Sequence, residues 1–152
     1  MEKQFLKDED INNSIDVLVS KITASGFRPK RIVALARGGL IPGVHLSYRM
    51  GDIPLFPIMV SSYDGERSGE VKVRTEYELY DGDLIVDDVY DTGKTIAHIL
   101  AVDKRAYMKN GRAADDRHIA TAVMFTKSQE GCADFYGRIV DSDTWIVFPW
   151  GG

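Results

Sequence analysis

The stretch that decides the fold is DLIVDDVYDTGKT, positions 83–95, where a hydrophobic run passes directly into acids, hydroxyls and a glycine. A short continuous apolar run such as 84–86 is typical of a strand that is buried on both faces of a parallel sheet. Three carboxylates then follow within five residues, at Asp87, Asp88 and Asp91. Such carboxylates repel one another unless a cation or sugar hydroxyls lie between them. The stretch therefore predicts a buried strand that leads into a ligand site.

A phosphate-binding pattern follows these acids. Thr92, Gly93, Lys94 and Thr95 supply two hydroxyls, a flexible glycine and an ammonium at the predicted start of a helix. Free backbone N–H groups and the helix dipole favour a phosphate at such a position. The spacing alone leaves open a simpler interpretation, a solvated acidic turn with a glycine cap. A nucleoside-triphosphate hydrolase loop is disfavoured, because it needs a second glycine where this chain has Asp88.

Other apolar runs alternate with candidate helices along the chain. The predicted strands cover residues 31–36, 54–60, 83–86 and 118–125, and the helices between them cover 41–50 and 95–109. An earlier helix is predicted around 11–22, with Asp8 or Asp10 able to cap its start and Gly26 placed to end it. This alternation predicts an α/β fold with a mostly parallel sheet flanked by helices.

One segment, 61–74, interrupts the alternation. It is polar, contains Gly65 and Gly69, and is long for a connection inside a compact domain, which predicts a flexible lid loop. The chain has no repeat, low-complexity tract or linker, so residues 1–152 are predicted to form a single domain. In open parallel sheets ligands bind outside the carboxyl ends of the strands, and we expect the chemistry there.

The overall composition excludes several classes of function. A net charge of -4 without any basic run argues against a nucleic-acid partner. The sequence shows neither a secretion signal nor a segment long enough to span a membrane, so a cytoplasmic location is expected. The single cysteine, Cys132, excludes an internal disulfide. Because His45, His98 and His118 lack metal-ligand spacing, zinc chemistry is not expected.

Three other polar segments carry the same kind of residues as 83–95. They are Arg37-Gly38-Gly39, Thr126-Lys127 and Asp143-Thr144-Trp145-Ile146. Segment 84–95 closely resembles the phosphoribosyl pyrophosphate signature of the type I phosphoribosyltransferases, in which a strand delivers paired acids, a third acid and a Thr-Gly loop. Within that family the chain is most similar to the bacterial xanthine-guanine (6-oxopurine) enzymes, whose segments resemble 36–43, 61–64, 125–127 and 143–146 in the same order.

The resemblance implies a fold, a reaction and partners. The fold is that of the type I phosphoribosyltransferases, and the reaction is purine salvage. A 6-oxopurine (guanine, xanthine or hypoxanthine) and 5-phosphoribosyl 1-pyrophosphate would give the nucleoside monophosphate and pyrophosphate, with Mg²⁺ as cofactor and a homo-oligomer, dimer or tetramer, as the assembly. Two alternatives are a phosphoribosyltransferase for a different base and a non-catalytic, phosphoribosyl pyrophosphate-sensing RNA-binding regulator, which would need a basic face.

Phosphoribosyl pyrophosphate-binding roles are implied for residues of the first two motifs. These residues are Arg37, Gly38, Asp87, Asp88, Asp91, Thr92, Gly93, Lys94 and Thr95. The Arg37 side chain and the N–H of Gly38 would hold the pyrophosphate, where a glycine lets the backbone approach the ligand. Asp88 would be the Mg²⁺ ligand, since this hard cation usually takes one or two protein carboxylates. Lys94 stands where the xanthine-guanine enzymes commonly have a glycine.

Base-binding roles are implied for Asp91, Lys127, Trp145 and Ile146. Asp91 is the predicted catalytic residue, which would exchange a proton with the purine at N7. The ammonium of Lys127 can only donate hydrogen bonds, which matches a carbonyl oxygen at position 6. Trp145 would stack on the purine, and the backbone of Ile146 would meet its edge at position 2.

Overall fold

The computed structural model describes residues 2–63, 70–127 and 133–151, with the side chains of 62 and 63 left out. Its elements are β1 Glu2–Phe5, α1 Asp8–Ser25, β2 Arg31–Ala36, α2 Leu40–Arg49, β3 Leu55–Tyr63, β4 Glu70–Val73, β5 Asp83–Tyr90, α3 Lys94–Lys109, β6 Ala120–Thr126, β7 Phe135–Ile139 and β8 Thr144–Val147. The predicted alternation of strands and helices is confirmed, and most predicted boundaries lie within one or two residues of the observed ones.

Six strands form the main sheet in the order β4-β3-β2-β5-β6-β7. Of these six, β4 runs antiparallel to β3, while the other neighbours are parallel. The predicted mostly parallel sheet is therefore confirmed. β5 lies in the middle of it between β2 and β6, so the carboxyl ends of these three strands meet at one edge.

Helices cover both faces of the main sheet, because successive side chains of each central strand point to opposite sides. Ile32 and Leu84 belong to an apolar cluster with α1 and α2, whereas Val33 and Ile85 belong to a second cluster with α3. All four side chains are buried. Both faces are thus closed by helices, and the strand ends remain the open edge of the fold.

The first helix begins differently from the prediction. Lys7 is its N-cap, and the carboxylate of Asp10 accepts a hydrogen bond from the Lys7 N–H at 2.8 Å. Asp8 is already in the helix, so neither of the two predicted residues is the cap itself. Gly26 ends the helix as predicted, with a φ of 83° in the left-handed region that favours glycine.

The central strand β5 is longer than the predicted run of 83–86. Its pairing with β6 continues, with Val89 opposite Phe125 and Tyr90 opposite Thr126. Asp87 and Asp88 therefore lie within the strand and not after it, which corrects the sequence-based prediction. A strand can hold these acids because they lie at its carboxyl end, where polar ligands rather than apolar helix faces become their neighbours.

The segment 61–74 is not a loop throughout. Residues 61–63 continue β3, and residues 70–73 form β4, with Ser61 opposite Lys72 in an antiparallel ladder. The predicted lid loop is therefore wrong for these two arms, whose backbone groups pair with each other instead of remaining irregular. Residues 64–69, the rest of the predicted lid, lie outside the described residues.

A second, two-stranded sheet was missed by the sequence analysis. β1 and β8 pair in parallel, with Lys3 opposite Trp145. Segment 143–146 therefore does not follow a strand of the main sheet, as its grouping with the other polar segments suggested, but leads into a strand of its own. β1 and β7 were not predicted because each is only four or five residues long and lacks a continuous apolar run. β8 does contain a short apolar run, at 145–147, which was interpreted only as part of a binding segment.

In the part of the chain that the structure describes, no helix is both long enough and apolar enough to cross a bilayer.

A bidentate ion pair joins the two central strands at the end opposite to the acids. Arg31 donates from Nε to Asp83 Oδ1 at 2.9 Å and from Nη2 to Oδ2 at 2.7 Å. Asp83 is buried and also accepts the N–H of Tyr80 at 2.8 Å. A carboxylate taken out of water in this way depends on its cation, because removing one partner leaves an uncompensated buried charge.

We therefore expect the substitution Arg31→Met to lower the free energy of unfolding by about 3–5 kcal/mol. The matched control is Arg49→Met, because Arg49 pairs with Asp16 at 2.7 Å on an exposed surface, where the loss should be about 0–1 kcal/mol. Urea unfolding at neutral pH measures both. Equal losses in the two variants would contradict a structural role for the buried pair.

Candidate active site

A cavity of about 510 Å³ opens at the carboxyl ends of β2 and β5. Most of the predicted site residues line it, namely Gly38, Asp87, Asp88, Asp91, Thr92, Gly93, Lys94, Thr95 and Trp145. Arg37 lies between the lining residues Ala36 and Gly38, and Lys127 contacts the lining residue Asp91. Ile146 follows Trp145 on β8. The fold thus brings together segments that are more than a hundred residues apart in the sequence.

The turn after β2 packs directly on the acids of β5. A Cβ placed on Gly38 would collide with the carboxylate of Asp88, so the close approach of the two segments requires glycine. The peptide bond between Ala36 and Arg37 is cis. Arg37 is exposed beside the cavity, where its guanidinium is accessible to an anionic ligand.

The two adjacent acids are electrostatically strained. Burial, together with the neighbouring Asp88, raises the pKa of Asp87 well above its ordinary value. The Asp88 N–H donates to Asp87 Oδ1 at 2.9 Å, and the Val89 N–H donates to Asp88 Oδ1 at 2.8 Å. A ligand that brings positive charge or hydroxyl donors to this point would relieve the repulsion.

The same carboxylates fit Mg²⁺ on chemical grounds. Mg²⁺ binds oxygen ligands and usually takes one or two protein carboxylates, with substrate oxygens and water completing its octahedron. Among residues 2–63, 70–127 and 133–151, no group of three or more His, Cys, Asp or Glu could hold a metal ion. Asp88, which contacts the Gly38 turn, is placed to share a cation with a ligand in the cavity but not to enclose it.

Residues 92–95, called the phosphate loop below after their predicted role, follow Asp91 and include the first two residues of α3. Gly93 is the N-cap of α3 and has a φ of 79°, a backbone conformation that residues other than glycine rarely adopt. The Lys94 N–H donates to Thr92 Oγ1 at 3.4 Å. The first N–H groups of a helix have no intrahelical acceptor, so this turn offers donors and a positive dipole end to an anion in the cavity.

An ion pair connects the acid segment to the end of β6. Lys127 Nζ lies 3.5 Å from Asp91 Oδ2, with 12% of the lysine side chain and 66% of the aspartate side chain exposed. The Lys127 N–H also donates to the carbonyl of Tyr90 at 3.0 Å. The structure therefore places a hydrogen-bond donor beside an acceptor at the rim of the cavity.

The second sheet contributes an aromatic wall. Trp145 lines the cavity with about half of its surface exposed. Ile146 turns its side chain to the core. Because Leu6 N–H donates to Val147 O at 2.9 Å and backbone groups alternate in direction along a strand, the N–H and C=O of Ile146 point away from β1.

Apolar parts of the cavity wall were not predicted from the sequence. They are Leu35, Ala36, Val60, Val71, Val89, Tyr90 and Ile96. Extending the strand prediction to position 90 would have placed Tyr90 on the same face as Asp88, since residues two apart share a face. Val60 ends the predicted strand 54–60, and the parallel pairing of β3 with β2 brings it to this edge. Val71 had no comparable signal, because only the antiparallel pairing of β4 with β3 brings it there.

Known proteins share this architecture. A purine phosphoribosyltransferase from Pyrococcus horikoshii is 33% identical, with a TM-score of 0.77 and coverage of 100% of this chain and 95% of its own. A Neisseria gonorrhoeae protein with bound ppGpp is 26% identical, with a TM-score of 0.73 over 99% of this chain and 90% of its own. The Helicobacter pylori xanthine-guanine-hypoxanthine phosphoribosyltransferase, at 20% identity, shares the fold, with a TM-score of 0.74 over 99% and 94% of the two chains.

The match to a family agrees with the site geometry. Residues 2–151 match the phosphoribosyl transferase domain family. This match and the neighbouring structures confirm the resemblance identified from segment 84–95 and the fold that it implied. Because the family model spans residues 2–151 and one purine phosphoribosyltransferase is 33% identical over the whole chain, the chain belongs to the phosphoribosyltransferase family.

Proposed function

We propose that this protein is a Mg²⁺-dependent purine salvage enzyme that transfers the phosphoribosyl group of 5-phosphoribosyl 1-pyrophosphate to a 6-oxopurine, which is guanine, xanthine or hypoxanthine. Pyrophosphate is the second product. The observation that carries the proposal is the pair formed by Lys127 Nζ and Asp91 Oδ2, 3.5 Å apart at the rim of the cavity. The protein would act in the cytoplasm as a homo-oligomer.

The pair matches one edge of a 6-oxopurine. Such a base presents a carbonyl oxygen at position 6 directly beside the nitrogen N7. The ammonium of Lys127 offers donors only and suits the oxygen, while the carboxylate of Asp91 accepts and suits a proton on N7. Adenine carries an amino group at position 6, whose hydrogens would face the lysine and leave both groups unsatisfied.

The second substrate, 5-phosphoribosyl 1-pyrophosphate, fits the remaining polar groups of the cavity. Arg37 and the N–H of Gly38 would hold the pyrophosphate, since the turn that carries them packs on Asp88. Asp87 and Asp88 would meet the ribose hydroxyls. The phosphate loop would bind the 5′-phosphate through the free N–H groups of the first helical turn and the side chains of Thr92, Lys94 and Thr95.

Asp88 is the residue we propose as the protein ligand of Mg²⁺. When bound, Mg²⁺ would neutralise negative charge on the departing pyrophosphate. The raised pKa of Asp87, caused by burial and by Asp88, supports a cation or hydroxyl donor between the two acids.

The residues of the chain would mainly hold the reactants in line. As the bond to pyrophosphate breaks, the anomeric carbon acquires oxocarbenium character, so the base must already lie opposite the leaving group. Trp145 would stack on the base, and the backbone of Ile146 would meet position 2. Asp91 would take the proton from N7. Val60, at the end of the predicted strand 54–60, and Val71 of β4 would contribute an apolar wall that excludes water.

The first prediction from the proposed function concerns the choice of base. The parent protein should prefer guanine, xanthine or hypoxanthine to adenine by on the order of 10⁴-fold in kcat/KM, because a site built to donate to an oxygen rejects an amino group. Lys127→Met removes the donor and keeps much of the stem. It should cost roughly a few kcal/mol of transition-state stabilisation for the 6-oxopurines, which lowers their kcat/KM and narrows the difference from adenine. Lys94→Met is the matched control, which should change the KM for phosphoribosyl pyrophosphate but not the base preference.

Each of the other outcomes of this assay has a distinct meaning. Equal use of adenine and guanine by the parent protein, or a full preference in the Lys127→Met variant, would remove Lys127 as the reader of position 6. A nucleotide formed only from another base would identify a transferase for that base. If no base gave a product and the protein bound RNA with a steep salt dependence, it would be a regulator instead.

A second prediction concerns proton exchange by Asp91. Asp91→Asn keeps the shape of the side chain and removes its basicity, so kcat should fall by roughly 10²- to 10⁴-fold. Affinity for phosphoribosyl pyrophosphate, measured by calorimetry, should stay close to that of the parent protein. Because the mostly buried Lys127 would lose the charge of its partner, urea unfolding should accompany the assay and show that the variant is folded. A variant with parental turnover would exclude Asp91 from the chemistry.

A third prediction concerns Mg²⁺ and Asp88. Chelation should abolish turnover, and added Mg²⁺ should restore it. Asp88→Asn should raise the Mg²⁺ concentration needed for half-maximal activity by at least about tenfold, since one of very few protein ligands loses its charge. Asp16→Asn, on the exposed face of α1, is the control and should leave this concentration unchanged. Full activity of the chelated protein would refute the metal requirement.

A further inference from the structure

Tyr90 occupies the space that a side chain on Gly93 would need. A Cβ placed on Gly93 would meet the Tyr90 hydroxyl and ring carbon Cζ, and would lie 3.0 Å from ring carbon Cε2. Both residues line the cavity. The hydroxyl end of the Tyr90 ring therefore occupies the space beside the backbone of Gly93 where another residue would have its Cβ.

Tyr90 is held both through its backbone and through its ring. Tyr90 is the last residue of β5 and lies opposite Thr126 of β6, which fixes the direction of its side chain. Its carbonyl accepts the N–H of Lys127 at 3.0 Å. The ring itself packs against the apolar cluster that contains Ile96 and Ile99 of α3. A side chain fixed at its backbone and along its ring can act as a rigid support.

The contact matters because the backbone at Gly93 sets the direction of the first N–H groups of α3. With a φ of 79°, Gly93 turns the chain from the strand into the helix. Glycine has many other conformations available, so it does not hold this one by itself. An anion site gains affinity when its donors are already aimed at the ligand, since the ordering cost is then met before binding.

We propose that Tyr90 is a positioning residue: its ring holds Gly93 in the left-handed conformation and so aims the phosphate loop at the 5′-phosphate of phosphoribosyl pyrophosphate. The inference rests on the proposed function, because it assigns the loop to that substrate. Tyr90 acts through the loop and takes no part in proton transfer. Its loss should weaken binding of the sugar phosphate and leave base recognition by Lys127 largely intact.

The test measures phosphoribosyl pyrophosphate affinity by calorimetry in the presence of Mg²⁺. Tyr90→Val removes the ring and should weaken binding by about tenfold or more, because small misplacements of binding groups are costly. Tyr90→Phe keeps the ring and should recover most of the affinity. Tyr77→Val is the matched control, since Tyr77 packs on the same apolar cluster and donates to Ile99 O at 2.8 Å without lining the cavity. It should lower stability but not affinity.

A double-mutant cycle tests the contact itself. Gly93→Ala in the parent protein should weaken binding by about 100-fold or more, because the left-handed backbone and the collision with Tyr90 both oppose the new methyl group. In the Tyr90→Val protein the collision is absent, and the same change should cost roughly tenfold, from the backbone alone. Urea unfolding of each variant checks that all four proteins are folded under the conditions in which their affinities are compared.

The outcomes separate this inference from the proposed function. If the parent protein does not bind phosphoribosyl pyrophosphate at all, the proposed function fails. If the parent protein binds it but Tyr90→Val binds equally well, the positioning role fails while the proposed function stands. Additive effects of the Tyr90 and Gly93 substitutions would also overturn the role, because residues in contact through one loop should not be independent.

Discussion

Repulsion between Asp87 and Asp88, held side by side at the end of a buried strand, is the constraint around which the site is built. Burial and proximity raise the pKa of Asp87 because two charges there lack compensation within the strand. The fold tolerates this cost at the carboxyl end of β5, where the Gly38 turn on one side and the phosphate loop on the other leave room for a ligand. The two acids are thus suited to a ligand that brings positive charge or hydroxyl donors.

The glycines follow from the same constraint. Gly38 lets the β2 turn contact the Asp88 carboxylate, and Gly93 lets the chain leave β5 past the Tyr90 ring. In both places a backbone segment approaches a side chain more closely than any Cβ would permit. The result is a cavity whose polar donors include backbone N–H groups at the start of α3, which the helix fixes, as well as side chains such as that of Lys94.

The central part of the fold was predictable because its strands are buried on both faces. The run 31–36 matched β2, since nothing in it is polar between Arg31 and the turn at Arg37. The end of β5 was harder, because Asp87 and Asp88 look like a loop although pairing with β6 continues beyond them. Local sequence could not predict β1 and β8, whose pairing is a contact between distant segments. The polar residues of the site could be predicted because they belong to sequence motifs. Val60 and Val71 belong to none, and the pairing of strands brings them to the cavity.

The pairing of β1 with β8 has a consequence for how the protein is made. Lys3 and Trp145 stand opposite each other although about 140 residues separate them along the chain. The pairings among β2, β5 and β6 join segments that lie nearer to one another in the sequence. Pairing β1 with β8 closes a much longer loop and therefore carries a larger entropic cost. During synthesis the sheet and the phosphate loop can therefore assemble while the aromatic wall is still missing. The wall of the cavity that carries Trp145 would then be completed only after β8 has left the ribosome.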